Sequence, residues 1–340
     1  MSTEFVFIGD LHCDALTKYW PEANAMQIGA VARVIRTQMK YGRNHFFLLG
    51  DLSEGIRDST GNAIRLSEDA QVQLLRLFRE FDGVAHLYVY LGNHDYAEVG
   101  SHSLQVFFEM QAGKMFKTIR FFDKPTTLRI DDVDVCVLPH PHKEPDPDAH
   151  FALAHYEVNG AVGDTGRKLK GDDYAFKIPI VQGHLHTAQK VRNHYYPGTL
   201  YQKSFGERLP KGYGVARVSR SRFQYKWVQF QPPFELRNVQ IEKTSDFKTL
   251  VAAHNVRQKL FVADGVRIPN DLATKYPNIV NTLQYASEEE LQSLQQAEFE
   301  LEASTLEFDH TDYLPKYLKQ HGASKQQIAR AKEILGGRKA

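Results

Sequence analysis

The sequence predicts an α/β fold in which a sheet is covered by helices, and three observations support this. Four short apolar runs rich in β-branched and aromatic residues have the composition of buried strands, and they span residues 4–8, 45–49, 86–91 and 178–182. Residues 22–40 and 66–81 lie between the first three runs and repeat apolar side chains at helical spacing. Strands that alternate with helices are typical of α/β sheets.

Further elements follow in order along the chain. Alternation of apolar and polar residues predicts additional antiparallel strands at residues 127–130, 133–138, 151–154 and 215–230. The proline-rich stretch 140–148 predicts a loop. Capping boxes at 287–290 and 324–327 predict two C-terminal helices, because Ser caps each helix and the Glu or Gln three residues later reaches back.

The composition changes at Gln231-Pro-Pro-Phe234, which predicts a domain edge. We therefore predict a main domain at residues 1–230, a small α/β capping domain at 231–302 and a helical tail at 303–340. The tail carries an excess of Lys and Arg, whereas residues 287–309 contain acids but neither Lys nor Arg.

Composition excludes several classes of protein. The net charge of +1 gives the whole chain no attraction to polyanions, so any affinity for nucleic acid must come from a local patch. Two cysteines, Cys13 and Cys136, cannot form a disulfide framework and fit a reducing, cytoplasmic compartment. No apolar run approaches the roughly 20 residues of a membrane span. The unusual feature is 15 histidines, most of them before residue 200.

Side chains able to bind metal follow the predicted strands. Each of the first four strands ends in glycine followed by such a residue: Asp10, Asp51, Asn93 and His184. His155 follows a fifth strand, which has no glycine at its end. Sites in open α/β sheets collect outside the carboxyl ends of strands, so we expect these side chains to reach one rim. Residues two apart in extended chain face the same side, so Asp10 with His12, and His184 with His186, are each expected to present a pair of ligands.

These ligand types narrow the choice of metal. Carboxylate, amide oxygen and imidazole without thiolate suit Mn, Fe or Zn. Seven ligands are too many for one tetrahedral ion but suit two ions about 3.5–4 Å apart that share a carboxylate. We expect Asp51 to be the shared ligand, because its strand is expected to lie centrally in the sheet.

Each residue alone has an ordinary explanation, since a strand-end Asp often caps a helix and a single His is often a core or surface residue. The ordered pattern has no such explanation. It resembles the calcineurin-like metallophosphoesterase superfamily, in the forms Asp10-Leu-His12, Gly50-Asp51, Gly92-Asn-His-Asp95, His155 and Gly183-His-Leu-His186. The remaining ten histidines fall in the ordinary class.

The resemblance implies a sandwich of two sheets flanked by helices, with a dinuclear metal site. It implies that one ion is held by Asp10, His12, Asp51 and His186, and the other by Asp51, Asn93, His155 and His184. His94 corresponds to the family's histidine that contacts the phosphate and is able to protonate the leaving oxygen. Asp95 either orients groups around the site or caps a turn.

Shorter motifs are similar to those of SbcD-type recombination nuclease subunits, particularly the short form made by tailed phages: Phe122-Asp-Lys-Pro-Thr-Thr127, Val137-Leu-Pro139, His155-Tyr-Glu-Val-Asn-Gly160 and Tyr196-Pro-Gly-Thr199. This resemblance implies a homodimer that works with an SbcC-type coiled-coil ATPase and cleaves DNA at and near its ends with manganese. Many members carry a second catalytic histidine three residues after the Gly-Asp aspartate, where this chain has Glu54. Either Glu54 replaces that histidine or the loop differs.

DNA binding is predicted from local charge between residues 203 and 227, where aromatic residues interleave with cations. Cations neutralise phosphates and aromatic rings stack on exposed bases. The predicted DNA contacts are Lys203, Arg208, Lys211, Arg217, Arg220, Arg222 and Lys226, with a second, weaker cluster at Arg167, Lys168 and Lys170, and the capping domain is expected to contribute. The alternative interpretation is a solvated hairpin whose aromatic side chains face inward.

The apolar stripe of the basic tail fits a groove between partner helices, so we predict that the ATPase contacts Tyr313, Leu314, Tyr317, Leu318, Ile328, Ile334 and Leu335. A tail helix docked on its own chain is the alternative. Two other functions stay open: a phosphoesterase for nucleotides or phosphoproteins, and a non-catalytic scaffold. The complete ligand set argues against the scaffold.

Overall fold

Two six-stranded sheets form the centre of the computed structural model, which describes residues 2–304 except 55–64, 99–100, 165, 172, 175 and 208–209. The first sheet contains, in spatial order, β14 (Arg222–Phe230), β13 (Lys211–Ser219), β1 (Thr3–Ile8), β2 (His45–Leu48), β3 (His86–Tyr90) and β6 (Ile119–Phe122). β1, β2, β3 and β6 are parallel, and β13 and β14 add to them as antiparallel strands.

The second sheet contains, in spatial order, β11 (Gln189–Val191), β12 (His194–Tyr196), β10 (Ile180–Gln182), β9 (Phe151–Ala154), β8 (Val133–Val137) and β7 (Thr126–Ile130). Its four inner strands are parallel, whereas β7 and β11 are antiparallel edge strands. A separate pair of short strands, β4 (Tyr96–Glu98) and β5 (Ser101–His102), follows β3.

Strand alternation decides which side chains enter which core. On β1, Phe5 and Phe7 point between the sheets, where they pack against Phe151 of β9. Val6 and Ile8 point to the opposite face, which is covered by helices. Period-two alternation therefore gives the first sheet two buried faces, and this explains why its strands are continuous apolar runs.

Helices cover the outer face of the first sheet. They are α1 (Ala23–Met39), α2 (Glu68–Phe81) and α3 (Gln105–Ala112). Ser67 caps α2, because its hydroxyl accepts a hydrogen bond from the backbone N–H of Ala70 at 3.1 Å. Loop side chains such as Tyr156, Val158 and Leu169 cover the outer face of the second sheet.

A third, parallel sheet follows the Gln231-Pro-Pro-Phe234 segment and contains β15 (Glu235–Ile241), β16 (Val256–Ala263) and β17 (Ile279–Tyr285). It carries a 3-10 helix (Thr244–Thr249), α4 (Leu272–Lys275) and α5 (Glu288–Ser304). This part contacts the sandwich through the indole N–H of Trp20, which donates to the carbonyl of His254 at 2.9 Å. The division into domains at residue 231 stays a prediction.

The predicted α/β fold with a two-sheet sandwich is confirmed, while several details differ. Residues 215–230 are not one strand but the end of β13 and all of β14, and β9 is parallel to both neighbours rather than antiparallel. The sequence patterns did not predict β6, β11 and β12. None of the helices in the described part of the chain has the length and apolarity needed to cross a membrane.

Candidate metal centre

The seven predicted metal ligands meet at one end of the sandwich. Asp10, Asp51 and Asn93 follow β1, β2 and β3 of the first sheet, whereas His155 and His184 follow β9 and β10 of the second. The strands that carry these residues belong to two sheets and not to one open sheet, and their carboxyl ends face each other here. The predicted central position of Asp51 is confirmed, since β2 lies between β1 and β3.

One group of donor atoms is formed by Asp10, His12 and His186. Nε2 of His12 lies 3.0 Å from Nε2 of His186 and 3.9 Å from Oδ2 of Asp10, and Nε2 of His186 lies 3.7 Å from the same oxygen. All three residues are buried. Three donor atoms of buried residues thus point at one small volume.

A second group is formed by Asp51, Asn93, His155 and His184. Nε2 of His155 lies 3.1 Å from Oδ2 of Asp51 and 3.0 Å from Oδ1 of Asn93, and Nδ1 of His184 lies 2.9 Å from that amide oxygen. Oδ2 of Asp51 is also 3.9 Å from Nε2 of His12. A single carboxylate oxygen therefore borders both groups.

These distances fit two bound divalent cations. Donor atoms that sit about 2.1 Å from one ion lie roughly 3.0–3.4 Å from each other. The separations of 2.9–3.1 Å in the second group and of 3.0 Å between His12 and His186 are close to this range, while Asp10 lies 3.7–3.9 Å from those two imidazoles. The donors are carboxylate, amide oxygen and imidazole, a set that suits Mn, Fe or Zn. Asp51, whose Oδ2 borders both groups, is suited to bridge the two ions.

Comparison with known proteins agrees with this geometry. The sequence model of the calcineurin-like phosphoesterase family matches residues 3–188, which include all seven donors. The chain belongs to the calcineurin-like phosphoesterases. It is also 24% identical, over 206 residues, to a protein of Invertebrate iridescent virus 6 that carries the name "Putative phosphoesterase 244L". That match covers 55% of this chain and 72% of the viral protein.

Membership in this family makes the chain a metal-dependent phosphoesterase that uses divalent ions. Two such ions bound at the donors supply Lewis acidity toward phosphoryl oxygens and a water molecule of lowered pKa. The part played by the chain's own residues follows from the contacts around the ligands.

In three of the candidate ligand histidines, the ring nitrogen Nδ1 contacts a neighbouring carbonyl or carboxylate oxygen. Nδ1 of His155 lies 2.8 Å from the carbonyl of Leu49, and Nδ1 of His12 lies 2.6 Å from Oε2 of Glu54. Nδ1 of His186 lies 2.9 Å from Asp164 and 2.8 Å from Glu207. Such partners fix the ring orientation and the tautomer, so Nε2 is free to face a metal.

Sequence reasoning missed Asp164 and Glu207. Neither stands in a motif or at a spacing that relates it to His186. The contact exists because the loop that contains Asp164 folds back along the Gly183–Thr187 turn. Only the three-dimensional fold could reveal these partners.

Two predicted DNA contacts are part of this buried network instead. Nζ of Lys211 donates to Glu207 at 2.5 Å, to Thr199 at 3.0 Å and to the carbonyl of His186 at 3.2 Å. Nζ of Lys203 lies 3.5 Å from Oε1 of Glu54. Lys211 is only 2% exposed, so it cannot contact a phosphate backbone, and the side chain of Lys203 is mostly covered.

Burial and the charges in this network shift the pKa values of three candidate ligand histidines and of Glu54. Burial and Lys203 lower the pKa of His12 to about 3. Burial opposes protonation of His155 and His186 too, but Asp51 and Asp10 raise the pKa of His155 to about 9. Asp164 and Glu207 raise that of His186 to about 10. Burial alone would raise the pKa of Glu54, but His12 and Lys203 lower it to about 2.

Backbone conformation at the site is unusual for residues with side chains. His12, Asp51 and His184 all have positive φ, at 46°, 46° and 78°. Strained conformations of this kind cluster at functional sites. The chain from Asp10 to His12 is therefore not extended, contrary to the prediction. His184 and His186 belong to different donor groups.

His94 lies at the open side of the centre. Its backbone N–H donates to Oδ1 of Asp51 at 2.7 Å, and its half-buried ring centre is 4.8 Å from that of His12. The ring is thus in direct contact with His12, and its half-buried state leaves part of the imidazole accessible. Glu54 is buried and paired with His12 and Lys203, so it is not placed to contact substrate as a replacement histidine.

Asp95 connects the loops after β2 and β3. Its carboxylate accepts hydrogen bonds from the backbone N–H groups of Leu52, Ser53 and Gly92 at 3.2, 2.9 and 3.0 Å, and from the Ser53 hydroxyl. Burial and the nearby Asp51 raise its pKa to about 7. Of the two roles predicted for Asp95, this arrangement favours capping turns and thereby holding Asp51 and Asn93 in register.

The remaining predicted DNA contacts lie in different places. Arg217 lies opposite Glu4, six residues before Asp10 along β1, and so is roughly 20 Å from the centre; Arg220 and Arg222 follow it at the same end of the sheet. Lys226 is exposed on β14, and Arg208 lies outside the described residues. The aromatic side chains Phe223 and Tyr225 pack between the sheets, as the inward-facing alternative predicted.

The weaker basic cluster lies next to the centre. Residues 162–164 and 166–170, the basic hairpin, are closed by hydrogen bonds from the N–H of Gly163 to the carbonyl of Arg167 (2.9 Å) and from the N–H of Leu169 to that of Ala161 (2.7 Å). Arg167, Lys168 and Lys170 are exposed, and within the described residues none of them forms an ion pair. Asp164, which contacts His186, belongs to the same hairpin. The predicted partner-binding residues 313–335 lie outside the described residues.

Metal binding should release protons. Imidazole binds metal only in its neutral form, yet pKa values of about 9 and 10 keep His155 and His186 protonated at neutral pH in the metal-free chain. We expect the release of about two protons near pH 7.5, and metal affinity that rises with pH until these groups have lost their protons. Calorimetric titration of Mn²⁺ in buffers of different ionisation enthalpy measures this; a heat independent of the buffer would contradict it.

The Lys211–Glu207 pair should matter for stability. Lys211→Met leaves the Glu207 carboxylate buried without its cation, so the free energy of unfolding should fall by about 3–5 kcal/mol. Lys211→Met combined with Glu207→Gln should recover part of this loss, because the unpaired charge is gone. Urea denaturation measures both variants, and Lys226→Met on the exposed face of β14 is the matched control. A single variant as stable as the control would exclude the assigned role.

Proposed function

We propose that the chain is a DNA nuclease that hydrolyses phosphodiester bonds with two divalent ions, with Mn²⁺ as the preferred metal. The observation that carries this proposal is the pair of donor groups joined through Asp51 beside the exposed basic hairpin. A dinuclear centre suits in-line attack on a phosphoester. Exposed cations within reach of the centre suit a substrate that continues as a polyanion.

We assign the ligands to the ions by donor group. One ion is held by Asp10, His12, Asp51 and His186, and the other by Asp51, Asn93, His155 and His184. Glu54, Asp164 and Glu207 position the imidazoles, and Asp95 positions the loops. His94 protonates the leaving oxygen, since its ring is accessible and lies beside the first donor group.

Phosphate contacts are assigned to the basic hairpin instead of β13 and β14. Arg167 is three residues from Asp164, so their Cα atoms are at most about 11 Å apart. Nucleotides in a strand advance about 3.4 Å along the helix axis, so these cations reach phosphates a few nucleotides from the scissile bond. The similarity of the shorter motifs to SbcD-type nucleases supports the same substrate.

A second candidate is a phosphoesterase that acts on nucleotides or phosphoproteins. The displacement of Arg217, Arg220 and Arg222 from the centre favours this candidate, because it removes most of the predicted DNA surface. The two functions differ in how the substrate continues beyond the reacting phosphate.

Mn²⁺ with the purified chain should degrade linear duplex DNA, and a chelator should abolish this. His94→Asn should lower the rate by about 10²–10⁴-fold while two ions still bind, because it removes a proton donor and no ligand. Gel assays of cleavage and calorimetry of metal binding measure the two effects. Rapid hydrolysis of nucleotides or phosphopeptides together with intact DNA would overturn the nuclease and favour the second candidate.

The partners follow from the same resemblance and are also proposals: a second copy of the chain and an SbcC-type coiled-coil ATPase that binds the tail. Removal of residues 311–340 should abolish co-purification of the ATPase yet leave manganese-dependent cleavage intact. Pull-down with tagged ATPase measures the first effect. Retained binding by the shortened chain would place the contact elsewhere.

A further inference from the structure

A pocket of 550 Å³ opens at the edge of the sandwich, between the edge strands β14 and β11. Tyr225 and Trp227 of the first sheet face Tyr195 of the second, and Lys190 lies at the rim with its ammonium 4.8 Å from the centre of the Tyr195 ring. The volume is within the range of sites for small molecules. We call this cavity the edge pocket.

The edge pocket adjoins the metal centre. Thr187 lines it and is the next residue after the ligand His186, so their Cα atoms are about 3.8 Å apart. The indole N–H of Trp227 donates to the carbonyl of Pro197 at 3.0 Å, and the following Gly198 packs on the carbonyl of His186. The same turn therefore borders both the edge pocket and the metal centre.

The edge pocket also adjoins the basic hairpin. Gln189 lines the pocket, and its side-chain amide exchanges hydrogen bonds of 2.8 and 2.7 Å with the backbone N–H and carbonyl of Val162. The aromatic walls, the cations and the metal ligands are therefore connected through directly bonded neighbours. Trp227 and Tyr195 are half-buried, so part of each ring remains accessible.

We propose that the edge pocket binds an unpaired base of the DNA strand whose phosphate lies at the metal centre, an inference that depends on the proposed nuclease function. Aromatic rings bind bases by stacking regardless of sequence, and nearby cations contact the backbone. Lys190, Arg167 and Lys168 supply the charge that a strand entering the pocket requires. A base in a duplex reaches the pocket only after unpairing, so the site selects single-stranded or frayed ends.

An abasic scan tests this proposal directly. Single abasic residues are placed one at a time along a single-stranded oligonucleotide, and kcat/KM for manganese-dependent cleavage is measured with the full-length chain. We expect one position at which the missing base lowers kcat/KM about 10-fold for the wild type. Trp227→Ala and Tyr195→Ala should show the same loss with the intact oligonucleotide and no further loss at that abasic position.

Controls separate this proposal from the one it depends on. Tyr41→Ala removes an aromatic ring that is 69% exposed elsewhere and should leave the scan unchanged. The rate of bis(4-nitrophenyl) phosphate hydrolysis is measured for each variant, and its kcat/KM for DNA is divided by that rate, so that a change at the metal centre does not count as a loss of base binding. Hydrolysis of this diester without DNA cleavage would overturn the nuclease function. DNA cleavage with identical scans for the wild type and Trp227→Ala would overturn the base site alone.

Discussion

The metal centre depends on the close approach of backbones at the ends of strands from two different sheets. Between the two sheets, a Cβ on Gly183 would lie 2.1 Å from the carbonyl oxygen of Leu49. Within the first sheet, a Cβ on Gly92 would lie 2.4 Å from the backbone nitrogen of Asp51. A Cβ on Gly9 would lie 2.0 Å from the carbonyl oxygen of Gly198. No side-chain rotation relieves such contacts, so glycine is required for the two sheets to meet and for His155 to reach Asp51.

Much of this arrangement follows from sequence alone, and the reason lies in β1, β2 and β3. They are apolar on both faces, end in glycine and carry their ligand in the next position, so periodicity and spacing agree. The reason for each of these glycines was harder to predict from the sequence. Gly50 does have positive φ, at 83°, but Gly9, Gly92 and Gly183 are needed for space and not for a special conformation.

Prediction failed where register and chain direction decide the outcome. A basic aromatic stretch looks uniform in sequence, but β13 runs antiparallel to β1, so its first residue lies at the metal centre and its last at the far end of the sheet. Lys211 therefore enters the core beside Glu207, while Arg217 pairs with Glu4. Likewise, the loop position that brings Asp164 to His186 depends on packing between distant segments, and no local pattern encodes it.

Buried charge in the network is the reason that we expect metal ions to displace protons at this centre. Five carboxylates face two ammonium groups, which leaves three negative charges if all are ionised: Asp10, Asp51, Glu54, Asp164 and Glu207 against Lys203 and Lys211. Uncompensated buried charge is costly, so the metal-free chain keeps protons on His155 and His186. Two divalent ions with neutral histidines instead leave one positive charge. Bound metal ions would therefore make the centre more attractive to an anionic phosphodiester, because these groups without metal carry a net negative charge.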